Sequence, residues 1–149
     1  SLSTRGFRPN SPHARTRTRS DNPRSCRSSI KGVSVRSYID SGIRVAGASD
    51  SGPGPFEPLM AIQSMVTRKD FDGNVWGPAQ RITIDQALMV GTINGAYASH
   101  EEHVKGSITA GKYADFTMLE KDPHDVNPDE IKNIKVLRTV VGGKTVYES

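Results

Sequence analysis

Few side chains in this 149-residue sequence stand where reactive groups are usually placed. The first is Asp50, which follows a short apolar run, residues 43–48, and precedes Ser51-Gly52-Pro53-Gly54-Pro55, a loop without helix or strand capacity. In βα architectures the reactive groups sit at the C-terminal ends of strands, so an acid at that point is a candidate for proton transfer. Taken alone, such an aspartate is more often a turn former or a helix cap. His100 and His103, three residues apart, invite a metal reading. Their spacing is not the i, i+4 pair of a metalloprotease helix, and they lie in a polar run with Glu101 and Glu102, so they are expected to face solvent. Trp76 sits in a loop and reads first as packing, with a pocket-lining role as the alternative. The single cysteine, Cys26, excludes a disulfide or a cysteine-based zinc site within one chain.

The elements that would hold these residues follow from periodicity and capping. Residues 33–40 read as a short helix ended by Gly42, and residues 43–48 as a strand. Pro58 opens a helix whose Leu59, Ile62, Met65 and Val66 recur at helical spacing through Arg68. Asp72-Gly73 marks the tightest turn of the loop that follows. Thr83 and Gln86 have the spacing of a capping box ahead of Ile84, Ala87, Leu88 and Met89, and residues 94–99 form a second short helix. Gly106 and Gly111 bracket a turn region in which Ile108 is free to enter a core. Residues 114–119 then alternate as a strand, with Phe116 and Met118 on one face and Leu119 breaking the pattern. Asn127 caps a turn begun by Pro128, and residues 136–141 and 144–147 form a hairpin closed by Gly142-Gly143.

Charge divides the chain. Residues 1–31 hold seven arginines and one lysine against Asp21, a net +7, whereas residues 32–149 hold 12 basic and 15 acidic residues, a net −3. The basic pI of about 9.4 therefore belongs to the first segment. That segment is rich in Arg, Ser and Pro and lacks apolar periodicity, so it reads as a disordered tail, or as a stretch that is not the native N-terminus. A nucleic-acid-binding arm is the third reading, weakened by the lack of interleaved aromatics, since Phe7 stands alone. The first residue is Ser1 instead of Met, which suggests a fragment, a processed chain or a partial reading frame. Neither a secretory apolar run nor a stretch approaching the ~20 apolar residues of a membrane span occurs, which makes a cytoplasmic protein the default expectation.

Five stretches, in this order, carry a resemblance: Val45-Ala46-Gly47-Ala48-Ser49-Asp50-Ser51-Gly52, Gln80-Arg81-Ile82-Thr83-Ile84-Asp85-Gln86-Ala87-Leu88, Thr92-Ile93-Asn94-Gly95-Ala96-Tyr97-Ala98, Gly106-Ser107-Ile108-Thr109-Ala110-Gly111-Lys112-Tyr113-Ala114-Asp115-Phe116, and Thr139-Val140-Val141-Gly142-Gly143-Lys144-Thr145-Val146-Tyr147. Together they resemble the C-terminal part of the amidohydrolase superfamily, in its amidohydrolase-3 branch, over roughly residues 35–149. The resemblance implies an α/β fold: the last strand and helices of a (β/α)8 TIM-type barrel in residues 32–105, and part of a small β-sandwich with the C-terminal hairpin in residues 106–149. It further implies a metal-dependent hydrolase, commonly with zinc, that acts on non-peptide C–N bonds of small amide-type substrates. Asp50 would be both a metal ligand and the catalytic carboxylate, taking a proton from the attacking water and passing it to the departing amine. The other metal ligands of the family, a His-x-His pair, a bridging group and two later histidines, have no matching positions here. One carboxylate does not hold a catalytic zinc, which normally needs three protein ligands. The expectation is a chain that binds no metal and does not catalyse alone. The alternative is a non-catalytic folding or interaction module that complements a separate N-terminal half. A lone barrel strand would have two open edges, so the order is expected to reside in the two helical stretches and the hairpin.

Overall fold

The computed structural model describes residues 34–49 and 57–149. Helix α1 (Val35–Asp40) is followed by an extended segment, residues 43–49. Helix α2 (Pro58–Thr67), a short 3-10 turn (Pro78–Gln80), helix α3 (Ile84–Gly91) and helix α4 (Ile93–Ala98) make up the helical part. A sheet then follows, built from β1 (Phe116–Leu119), β2 (Val136–Val141) and β3 (Lys144–Glu148), with a second 3-10 helix (Pro128–Asn133) between β1 and β2. None of the described helices is long and apolar enough to cross a membrane.

The local signals act as their chemistry requires. The Thr83 hydroxyl accepts from the Gln86 backbone N–H at 3.2 Å while the Gln86 side-chain Oε1 accepts from the Thr83 N–H at 3.0 Å, a complete capping box at the start of α3. Pro58 occupies the first turn of α2. The Asn127 side chain accepts from the Asp129 N–H at 3.0 Å and starts the second 3-10 helix. Gly142 and Gly143 have φ of 55° and 76°, the pair of positive values that a two-residue hairpin turn needs. β2 is central, antiparallel to both neighbours in the order β1-β2-β3. Phe116 faces Val140 and Met118 faces Arg138; a register shift then falls between Met118 and Leu119. That shift lets Leu119 leave the alternation and pack against the helical core.

The core is formed by Ile62 from α2, Ile82, Ala87 and Val90 of α3, and Ile131 and Ile134 from the β1–β2 connection. The connection thus belongs to the helical layer, where it packs chiefly on α2. Polar ties reinforce this: Lys69 pairs with Asp129, and the Lys132 N–H donates to Gln63 Oε1 at 3.0 Å. Asp115 has a fold role of the same kind, its Oδ1 accepting from the Gly142 N–H at 2.6 Å and fixing the hairpin turn beside β1.

Three expectations need correction. Residues 43–48 are extended but are not a strand, because no described strand lies alongside; α3 and α4 take up their polar groups instead. Ile108 is 87% exposed, so it does not enter the core. The close contact of that turn is made by Gly106 against Ile93 and Ala96. Trp76 is half-exposed and does not cover the core. Its indole N–H donates to Asp70 Oδ2 at 2.7 Å, while Asp70 Oδ1 accepts from the N–H groups of Asp72 and Asn74. That loop is closed further by the Trp76 N–H on the Arg68 carbonyl and the Arg68 Nε on the Trp76 carbonyl. The indole hydrogen bond, ahead of those from Asn74 and Asp72, holds the Asp70 carboxyl below its ordinary pKa.

Candidate active site

Asp50, the candidate catalytic and metal-binding residue, lies outside the described residues, as does most of the loop after it. The segment that delivers the chain to it is described through Ser49. Its anchoring is specific. The Gly47 N–H donates to the Val90 carbonyl at 3.1 Å, near the C-terminal end of α3, where carbonyls lack intrahelical partners. Two residues earlier the Val45 carbonyl accepts from Asn94 Nδ2 at 2.9 Å. A methyl group on Gly47 would stand 3.2 Å from Val90 Cγ1, so a small residue lets the two backbones approach. Val45 also packs on the helical core.

Asn94 is 8% exposed, one of two buried polar residues among those described. A buried amide persists when its groups are paired, and here the pairing ties α4 to the segment leading to Asp50. From sequence alone, Asn94 stands only at the start of a short helix. The available signal was a polar side chain in the run Ile93-Asn94-Gly95-Ala96, where the helix turns its inner face to the core. Asn94→Ala would leave the Val45 carbonyl without its donor, at a cost of about 1–3 kcal/mol. The expected readout is a lower urea midpoint together with faster amide exchange at residues 45–49. An unchanged exchange rate there would show that the bond does not hold the segment.

At the far end of α2 lies Trp76. That helix begins at Pro58, just after the Asp50 loop, and its ten residues span about 15 Å. The Trp76 loop therefore sits at the end of α2 away from Pro58.

The described histidines do not converge on a metal site. His100 and His103 are exposed, as their polar setting predicted. His124 lies in the β1–β2 connection with both ring nitrogens engaged by carboxylates. Among the described residues, no group of three or more His, Cys, Asp or Glu side chains is placed to hold a metal ion. The described donors therefore do not fit the metal centre that the resemblance implies.

Comparison with known proteins bears on the same segments. A sequence model described as amidohydrolase family matches residues 7–147, a span that begins within the arginine-rich segment. The N-substituted formamide deformylase of Arthrobacter pascens is 40% identical over 119 residues, covering 80% of this chain and 22% of that protein. The imidazolonepropionase of Bacteroides thetaiotaomicron is 31% identical over 112 residues, covering 72% of this chain and 24% of that protein. Among solved structures, an amidohydrolase from Thermotoga maritima superposes with a TM-score of 0.58 at 21% identity, over 77% of this chain and 26% of that one. The guanine deaminase of E. coli gives the same TM-score at 20% identity, over 76% and 30%. The chain thus spans less than a third of each of these proteins, and within that span it shares the fold of the two solved structures. By that match, which runs through nearly all of its length, this chain belongs to the amidohydrolase family.

Proposed function

We propose that the chain serves in the hydrolysis of non-peptide C–N bonds, as the C-terminal part of an amidohydrolase site, with Asp50 as its catalytic carboxylate. The observation that carries this reading is the 40% identity to an N-substituted formamide deformylase across 80% of the chain, a stretch that includes the segment before Asp50. The anchoring of that segment by Val90 and Asn94 supports it, because a carboxylate acting as base must be held within reach of the proton it takes. Asp50 accepts a proton from the attacking water and returns it to the departing amine nitrogen, so the carboxylate ends as it began. The family relation implies a divalent metal, zinc first, whose bound state makes water more acidic. The described donors do not assemble such a centre, so this reading needs further ligands beyond the described residues.

Two arms test the reading. The purified chain supplied with zinc is expected to leave N-formyl and N-acyl amines intact. Co-expressed with the barrel portion of the formamide deformylase to which it is similar, it is expected to give amine release, abolished by Asp50→Asn. Turnover by the isolated chain would overturn the division of the site, and turnover that survives Asp50→Asn would overturn the role of that residue. Amine release in no pairing would favour the non-catalytic interaction module.

A further inference from the structure

We propose that His124 is a proton-controlled clasp that fastens the first half of the β1–β2 connection to helix α3. Its imidazole lies between two carboxylates from distant parts of the chain. Nδ1 is 2.7 Å from Asp122 Oδ1 in its own loop, and Nε2 is 3.1 Å from Asp85 Oδ1 in the first turn of α3. The His124 backbone N–H also donates to Asp122 Oδ1, at 2.9 Å, which fixes the ring's starting point.

The chemistry of the ring makes this arrangement conditional. An ionised carboxylate only accepts hydrogen bonds. A neutral imidazole carries one N–H, and only the imidazolium carries two. Both contacts are therefore satisfied in the protonated state alone. On deprotonation one nitrogen lone pair confronts a carboxylate oxygen, and that contact opens. The charged groups acting on the ring are Asp122 and Asp85.

The place of the clasp gives it consequence. The second half of the connection is held by buried Ile131 and Ile134, by the Asn127 cap, by Lys69 with Asp129, and by Gln63 with Lys132. In the first half, residues 120–126, the apolar anchors are Pro123, which is buried, and Val126, which is partly so. The bond from His124 to Asp85 is the polar tie from this half to α3. Opening it frees the loop without unseating the core.

The direction in pH follows. The hydrogen bond to Asp122, then that to Asp85, raises the His124 pKa above its ordinary 6.5, and the His124 backbone N–H, then its ring, lowers that of Asp122. A group whose folded pKa is raised contributes its full stabilisation below the unfolded value and loses it as pH rises through the folded one. The clasp is closed in mildly acidic solution and opens with rising pH through the raised midpoint.

The test uses the full chain. The ring nitrogens of His124, followed by long-range 1H–15N NMR against pH, are expected to titrate above the midpoint measured in urea. Asp85→Asn and Asp122→Asn should each move the midpoint down. Amide protection at residues 121–126, corrected for intrinsic exchange, should fall several-fold across the midpoint, and His124→Gln should remove that pH dependence. A folded midpoint no higher than the one in urea would overturn the proposal, as would a fall in protection that persists in His124→Gln.

Discussion

Replacing Ile131 by alanine is expected to lower the unfolding free energy by about 2–5 kcal/mol, the range for deleting a buried aliphatic side chain. Ile131 is fully buried in the short 3-10 helix between β1 and β2, where it meets Ile62 and Ile82, and Ala87 and Val90 of α3. Two terms add: the transfer of the lost methylenes and the cavity that stays behind. The cavity is expected to persist, because the 3-10 helix is pinned on both sides of Ile131. Asn127 and Asp129 hold its start, and Lys132 and buried Ile134 hold its end. Urea unfolding followed by circular dichroism measures the effect. Ile131→Val should cost only about 0.5–1.5 kcal/mol. Ile108→Ala, at an exposed site, should stay within about 0.5 kcal/mol of the parent. A loss from Ile131→Ala as small as that from Ile108→Ala would mean that the connection does not complete the helical core.

The contrast between these two isoleucines shows what the sequence could disclose. Both stand between polar neighbours in stretches without long periodicity, and nothing local separates them. What separates them is which distant element each meets, and that is a tertiary fact. Features set by neighbours a few residues away were legible: the Thr83–Gln86 capping box, Pro58 in the first turn of α2, the glycine pair of the hairpin, and Leu119 leaving the strand alternation. Residues 43–48 have strand composition, but a strand exists only through a partner ladder, and composition does not say whether one is present. Trp76 was misjudged for a related reason, since its partner Asp70 lies in the same loop and satisfies the indole at the surface.

For the proposed site, the resemblance points to Asp50, while the pairing that clamps the segment before it has no sequence signal. Asn94 and the Val90 carbonyl reach residues 45 and 47 across more than forty positions, and a backbone carbonyl has no signature in sequence at all. The family signature is partly a packing signature. Gly47 approaches α3, Gly106 approaches α4, and Asp115 holds the hairpin turn, so motifs that look like site residues hold the scaffold around the site.

Gly106→Ala is the sharper trial of that view. Gly106 has φ of +90°, which costs an L-residue with a side chain roughly 1–2 kcal/mol. A Cβ built there would also stand 2.7 Å from Ala96 Cβ, 3.0 Å from Ile93 Cα and 3.1 Å from Ile93 Cδ1. The Ile93 Cδ1 lies at the end of a rotatable side chain, but its Cα belongs to the first residue of α4, and Ala96 is buried on the face of the same helix. Relief would therefore require the turn to move off α4, at about 1–3 kcal/mol for overpacking, so that the two costs together come to about 2–5 kcal/mol. Gly111→Ala separates them. Gly111 has the same φ of +90° with nothing within 4 Å of its built Cβ, so that variant reports backbone strain alone. The urea midpoints of the two variants should differ by the overlap at Gly106. Because Gly106 stands where the helical part hands over to the sheet, its alanine variant should also speed amide exchange in α4, which Gly111→Ala should leave unchanged. If the two variants lose equal stability, and exchange in α4 is the same in both, the close approach of the turn to α4 does not exist, and Gly106 is there for its φ alone.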